Sequence, residues 1–401
     1  MKTYPSLVRG AAALVTGVLA VGVLTLAGPA GPAHAGPAHA GPADPWVRSW
    51  GLNAAGQLGT GDTVDRPTPS AARGLRRADV RELAAGGGSS DRNHAIALLE
   101  DGTVQSWGGN NKGQLGDGST VDRAVPGAVA GLTGVSQVAA GIDFALAVRD
   151  GRVLSWGSNA YGQLGDGTAT DPATRPVRTQ SLDRVAEVSA GCQFAVALRQ
   201  DGTVWTWGRN HQGQLGDGTT TDRNTPRRVP GLTGIVAVAA GCQHALALTA
   251  QGTVKAWGRG VDGQLGNDDT TLSSSPVDVL HLDSVARIFT GWYHGFALLD
   301  DGSVRAWGGN WAGQLGDGST VKRTTPVPVP ALTGVSALAG GYAFSLAVRE
   351  DGSVLAWGDN ASGQLGDGST GASPTPVTPL PPGSGTTRVP ALLPWKSAYA
   401  Y

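Results

Sequence analysis

A chain of 401 residues with 63 glycines, 24 prolines and only 15% charged residues describes many tight turns joining short apolar segments, and it excludes a bundle of long amphipathic helices. Its apolar share of 40% is enough for a packed core, so the glycine content is not that of a disordered chain. A formal net charge of -1 leaves no basic footprint, which argues against nucleic acid and against an anionic membrane as partners.

The chain opens on material unlike the rest. Lys2 and Arg9 precede an uncharged run from Gly10 to Ala27, followed by small residues and two Ala-His-Ala triplets ending at Ala35 and Ala40. That order is a Sec-type signal peptide over residues 1–40. The apolar run is diluted by glycine and lacks a basic stop-transfer flank, so cleavage is expected rather than a retained anchor. The expected mature protein is secreted, soluble and extracellular, and begins at Gly36 or Gly41.

From there to about residue 380 one unit recurs. Trp-Gly pairs stand at Trp50, Trp107, Trp156, Trp207, Trp257, Trp307 and Trp357, and each is followed by Gly-Gln-Leu-Gly, beginning at Gly56, Gly113, Gly162, Gly213, Gly263, Gly313 and Gly363. The period is close to fifty residues, which is the signature of a repeat architecture. Within one unit the pattern predicts a strand over Ile235 to Ala240, an alternating strand over His244 to Leu248, a turn at Gln251-Gly252, and a strand over Thr253 to Trp257. A proline-flanked segment near Arg227 to Val229 supplies a fourth strand, and four antiparallel strands make a propeller blade. Asp101-Gly102, Asp201-Gly202, Asp301-Gly302 and Asp351-Gly352 sit where a two-residue hairpin needs positive φ. The Asp-Gly after Gln-Leu-Gly, as at Asp117, Asp166, Asp217, Asp317 and Asp367, supplies a single carboxylate where a calcium site wants six to eight oxygens from closely spaced ligands, so it reads as a turn. A tryptophan repeated in every unit reads as packing between blades.

The run Trp-Gly-x-Asn-x-x-Gly-Gln-Leu-Gly-Asp-Gly, with Gly-x-x-His-x-Leu-Ala-Leu and Asp-Gly-Thr-Val later in the unit, resembles the regulator of chromosome condensation repeat family over about residues 46 to 380. The resemblance implies an all-β, seven-bladed β-propeller whose N- and C-terminal strands share a blade, and the leader marks a secreted bacterial member. Members of the family include nuclear exchange factors for a small GTPase, a plant ultraviolet photoreceptor and secreted streptomycete inhibitors of β-lactamase, and a shared fold transfers none of these activities. The shared blade is where the sequence departs from the pattern. Trp46 to Trp50 and Arg66 to Ala72 supply two strands, but fifty residues beyond Gly340-Gly341-Tyr342 lie Pro390-Ala391-Leu392, with Pro394 following, where prolines interrupt central ladder positions. Either the irregular tail, residues 381–401, pairs to complete the blade, or the chain has six full blades and an N-terminal strand pair; a frameshifted end would look the same. Poor closure is the expectation.

Catalysis would need convergent polar groups that break the repeat, and few exist. His94, His244 and His294 share one repeat position with Phe144, Phe194 and Phe344, so they read as core rather than as metal ligands. With no Gly-x-Ser-x-Gly elbow, zinc helix motif or phosphate loop, no enzyme, metal or cofactor is expected. Cys192 and Cys242, each in Gly-Cys-Gln, occupy one position in neighbouring blades. An oxidising compartment favours a bond, whereas the distance between blades favours two free thiols, and the alternatives stand even.

Antiparallel order puts the loop after the first strand and the loop after Trp-Gly on the same face. Those loops vary between units and carry Trp292, Tyr293, Trp311, Tyr342, Tyr161 and His211, residue types of which interface hot spots are made. The expected function is a secreted, non-enzymatic protein-binding propeller, an inhibitor or adaptor, acting through this aromatic face. The alternative is a cell-wall or polysaccharide-binding module, since aromatics also stack on sugars. Secretion argues against a nuclear exchange factor. Gly291-Trp292-Tyr293-His294 lacks the arginine that the photoreceptors place between tryptophan and histidine.

Overall fold

The computed structural model describes residues 46–401; the expected signal peptide lies outside the described residues. Apart from a single 3-10 turn at Arg77–Asp79, the regular structure consists of strands. They form six four-stranded meanders and one three-stranded sheet, seven blades in all. Blades one to six span residues 80–128, 135–178, 185–228, 235–278, 285–328 and 335–380.

The third blade shows why these residues make these strands. Its second strand, Phe194–Arg199, is buried along five of its six residues, because a central strand in a propeller is covered by a blade on each side and so reads as a continuous apolar run. The outer strand, Arg223–Arg228, starts a few residues earlier than expected and is polar, and Pro226 is tolerated there because only one of its edges is paired. Gly202 closes the hairpin at φ +74° while the Asp201 carboxylate accepts the Thr203 N–H at 3.1 Å.

Blades are joined by tryptophan. Trp257 is buried, and its indole N–H donates to the Gln214 carbonyl of the preceding blade at 2.9 Å. A β-carbon on Gly216 would lie 2.8 Å from that ring, which explains the glycine after Gln-Leu. The Asp-Gly turn is structural. Asp217 accepts the Thr219 N–H at 2.9 Å and pairs with Arg223, and buried Asn210 accepts the Leu215 N–H at 2.9 Å. His94, His244 and His294 are fully buried, and desolvation pushes their imidazoles down to about 4, 3 and 3.

The seventh blade corrects the expectation of poor closure. Trp46–Gly51 pairs on one side with Arg66–Arg76 and on the other with Ser397–Ala400. The register Gly51↔Ser397 and Trp50↔Ala398 matches Gly358↔Phe344 and Trp357↔Ser345 in blade six, so the tail runs 53 residues behind blade six rather than fifty. Pro394 therefore falls in the loop, not in the ladder. The innermost position is held irregularly, by Leu393 N–H to the Gly340 carbonyl at 2.9 Å and by reciprocal bonds between Arg388 and Tyr401. The ring has seven blades, the last with three regular strands.

Candidate functional site

The loops after the first strands converge on the propeller axis. Backbone hydrogen bonds knit them from blade to blade: Ile142 N–H to Cys192 O at 3.0 Å, Cys192 N–H to Cys242 O at 3.0 Å, Cys242 N–H to Trp292 O at 3.2 Å, and Trp292 N–H to Gly341 O at 3.0 Å. At that radius neighbouring blades are close enough to bond. Cys192 and Cys242 form a disulfide, with Cα atoms 4.4 Å apart and well inside the usual limit.

Trp292 plugs the axis. It is only 6% exposed, packs with the disulfide, Ile142 and Leu392, and donates its indole N–H to the Leu393 carbonyl at 3.2 Å. The cavity left beneath it is about 10 Å³, the lower limit for one water. Trp292 and these neighbours fill the space where the loops converge. Trp292 itself is a buried support, which corrects its expected place as an exposed rim contact.

Upon that support stands an aromatic cluster from blades five and six. Tyr342 meets the Trp292 ring at 5.3 Å, Tyr293 lies 5.7 Å from Tyr342 and 5.5 Å from Trp311, and Trp311 lies 6.0 Å from Tyr342. These tilted and edge-on contacts stiffen the group. Trp311 is 46% exposed, and a β-carbon on Gly309 would collide with its indole, so glycine there seats the ring. The Arg259 guanidinium lies 5.0 Å over Tyr293 and is anchored to Asp262 at 2.6 Å. Burial pushes the Tyr293 hydroxyl up, so it remains a neutral donor. Tyr161 and His211 form a second group in blades two and three, 6.1 Å apart and edge-on, with Arg209 stacked 4.7 Å over Tyr161.

Sequence reasoning missed Trp395, which joins the plug from the tail, and Lys396, which lies 4.9 Å over its ring. Counting fifty from blade six hid them; the shifted register places Trp395 opposite the cysteines. Also missed were the stacking Arg259 and Arg209, and the exposed apolar side chains Val261, at 47%, and Val321, at 59%.

Deeper along the axis the first strands present polar side chains to the free edge of the next blade. Glu82 accepts the Val138 N–H at 3.1 Å and Glu187 accepts the Val238 N–H at 3.3 Å. Gln137, between them, both accepts the Val188 N–H at 2.8 Å and donates to the Val188 carbonyl at 3.3 Å. Desolvation pushes both carboxyls up to about 7, and at Glu82 the charge of Glu187 adds to it. Among the described residues no group of three or more His, Cys, Asp or Glu side chains is placed to hold a metal ion.

The family described as RCC1-like domain matches residues 46–391. The ultraviolet-B receptor UVR8 of Arabidopsis thaliana is 38% identical over 104 residues, 25% of this chain and 22% of the receptor. The RCC2 homolog of Danio rerio is 39% identical over 102 residues, 25% of this chain and 20% of that protein. The chain thus spans only about a fifth of the length of these relatives. Human WBSCR16 superposes with a TM-score of 0.76 at 24% identity, over 89% of this chain and 98% of that one. Prp20p of Saccharomyces cerevisiae, whose structure is described with its binding to Gsp1p and histones, superposes with a TM-score of 0.78 at 22% identity, over 89% of this chain and 91% of its own. At those identities the likeness shows the fold alone.

Proposed function

The chain belongs to the RCC1-like domain family, and from that premise we propose that it is a secreted, non-enzymatic propeller that binds a protein partner through the face bearing Trp311, Tyr293 and Tyr342. The observation that carries this reading is the distribution of exposed apolar groups. Of the nine large exposed hydrophobic residues among those described, six (Val64, Val121, Val261, Leu272, Trp311 and Val321) lie in the loops that follow the Trp-Gly strands. Those loops open on one face, and four of the six, Val261, Leu272, Trp311 and Val321, belong to the adjacent blades four and five, where clustered exposed apolar side chains mark an interaction surface. Protein binding by Prp20p, on the same fold, supports the class of function and not the identity of a partner. With the axis plugged by Trp292, the face offers an outer surface rather than a cleft for small substrates.

The test is a pull-down from culture supernatant with the mature chain, read by mass spectrometry, beside a glycan array. Proteins held by the wild type and released by Trp311→Ala support the reading. Retention of glycans alone would replace it with polysaccharide binding. Secretion rests on the leader: intact mass should give a first residue of Gly36 or Gly41, and Met1 retained in a membrane fraction would overturn it.

A further inference from the structure

Four blades lock the loop after Trp-Gly with an aspartate. Asp65 accepts the Asn53 N–H at 2.7 Å, Asp122 that of Asn110 at 2.7 Å, Asp171 that of Asn159 at 2.8 Å, and Asp222 that of Asn210 at 2.7 Å. In blades four, five and six the same position holds Leu272, Lys322 and Ala372. The repeat is thus broken on contiguous blades, and they are the blades that contribute Arg259, Trp311, Tyr293 and Tyr342. Departures from a consistent repeat are expected where function overrides the fold.

The broken sector is drawn together at its surface. Asn310 donates to the Val321 carbonyl at 3.1 Å, and the Lys322 ammonium donates to the Val261 carbonyl at 3.1 Å. The first bond recurs in other blades, as from Asn53 to the Val64 carbonyl and from Asn110 to the Val121 carbonyl. The second is Lys322's own and sets its ammonium against the Val261 backbone, between the loops that carry the exposed Trp311, Val321 and Val261. The other cations nearby have carboxylate partners: Arg259 with Asp262 at 2.6 Å, Arg323 with Asp317 at 2.7 Å, and Lys396 with Asp359 at 4.0 Å. Among the described residues Lys322 has none.

We propose that blades four to six form a docking sector for a protein segment carrying a carboxylate beside an apolar side chain, with the carboxylate meeting Lys322 and the apolar group covering Trp311, Val321 and Val261. This rests on the binding-face reading above and narrows it to one sector and one partner chemistry. An apolar anchor excludes water, and the adjacent opposite charge steers and orients the segment.

A random peptide display library selected on the full mature chain tests it, with Lys322→Asp, Lys322→Ala and Trp311→Ala as variants. Lys322→Asp places the aspartate lock of the other blades on Asn310, so thermal melting should match the wild type; Lys322→Ala removes the charge alone. The expected outcome is peptides with Asp or Glu beside Trp, Phe or Leu that lose about tenfold or more in affinity to each variant and weaken with added salt. Peptides that depend on Trp311 but show no acidic enrichment and no loss with either Lys322 variant would overturn this proposal and leave the binding face standing. Recovery of no Trp311-dependent peptide would overturn both.

Discussion

The indole N–H of Trp50 donates to the Gln364 carbonyl at 2.9 Å, across 314 residues of sequence. It is the bond that Trp107 makes to Gln57 and Trp357 to Gln314, so the first and last parts of the chain meet by the device that joins every other pair of blades. Amides of Trp46–Gly51 should therefore exchange with deuterium as slowly as those of Val204–Gly208. Deleting residues 397–401 should speed exchange throughout 46–76. Fast exchange in the intact chain would mean that the ring is open.

The tryptophans divide by burial. Trp257→Ala should cost about 3–5 kcal/mol of stability, and Trp292→Ala, which empties the axial plug, a similar amount. Trp311→Ala should change stability by less than about 1 kcal/mol and weaken partner binding by about 2 kcal/mol. Urea denaturation and titration calorimetry separate the two effects. Equal destabilisation by all three would make Trp311 a core residue.

The disulfide closes a loop of 50 residues. Loop-closure entropy sets a ceiling of about 4 kcal/mol, and about 2–4 kcal/mol is expected to be lost in the double variant Cys192→Ser, Cys242→Ser. Dithiothreitol should lower the denaturation midpoint of the wild type and leave that of the double variant unmoved.

Glu82 and Glu187 make stability depend on pH. Unfolded, both ionise near 4.5; folded, burial holds them at about 7, with Arg81, Arg388 and Tyr401 also facing Glu82. Between those values the folded state holds these two protons and the unfolded state does not, so the carboxyls' contribution to stability falls as pH rises through the window, whereas the neutral burial of His94, His244 and His294 adds stability as pH rises toward 6.5. A protonated carboxyl can both accept and donate, as Gln137 does toward Val188. That contribution should fall by about 1 kcal/mol per carboxyl, and Glu82→Gln with Glu187→Gln should remove it, leaving the rise due to the histidines. The check is the difference between wild type and the double variant: a wild-type advantage in melting temperature that fails to shrink from pH 5 to pH 8 would reverse the assignment.

The sequence by itself determined whatever recurs. Trp-Gly, Gly-Gln-Leu-Gly and Asp-Gly at a period near fifty predict strands, turns and blades, because hairpin geometry and blade packing are local demands met by the same residues each time. Antiparallel order alone put the two sets of loops on one face. Only the tertiary structure decided where the repeat lapses. The final strand was hidden because its register is offset by three residues, and pairing is chosen by the free edge of Trp46–Gly51 rather than by any signal in the tail. Whether Cys192 reaches Cys242 depended on radius from the axis, which a linear spacing does not contain. Trp292 and Trp311 are alike in sequence terms, each an aromatic in a variable loop, yet one lies at the axis, where seven blades crowd it into burial, and the other lies farther out, where neighbouring loops diverge and leave its face to solvent.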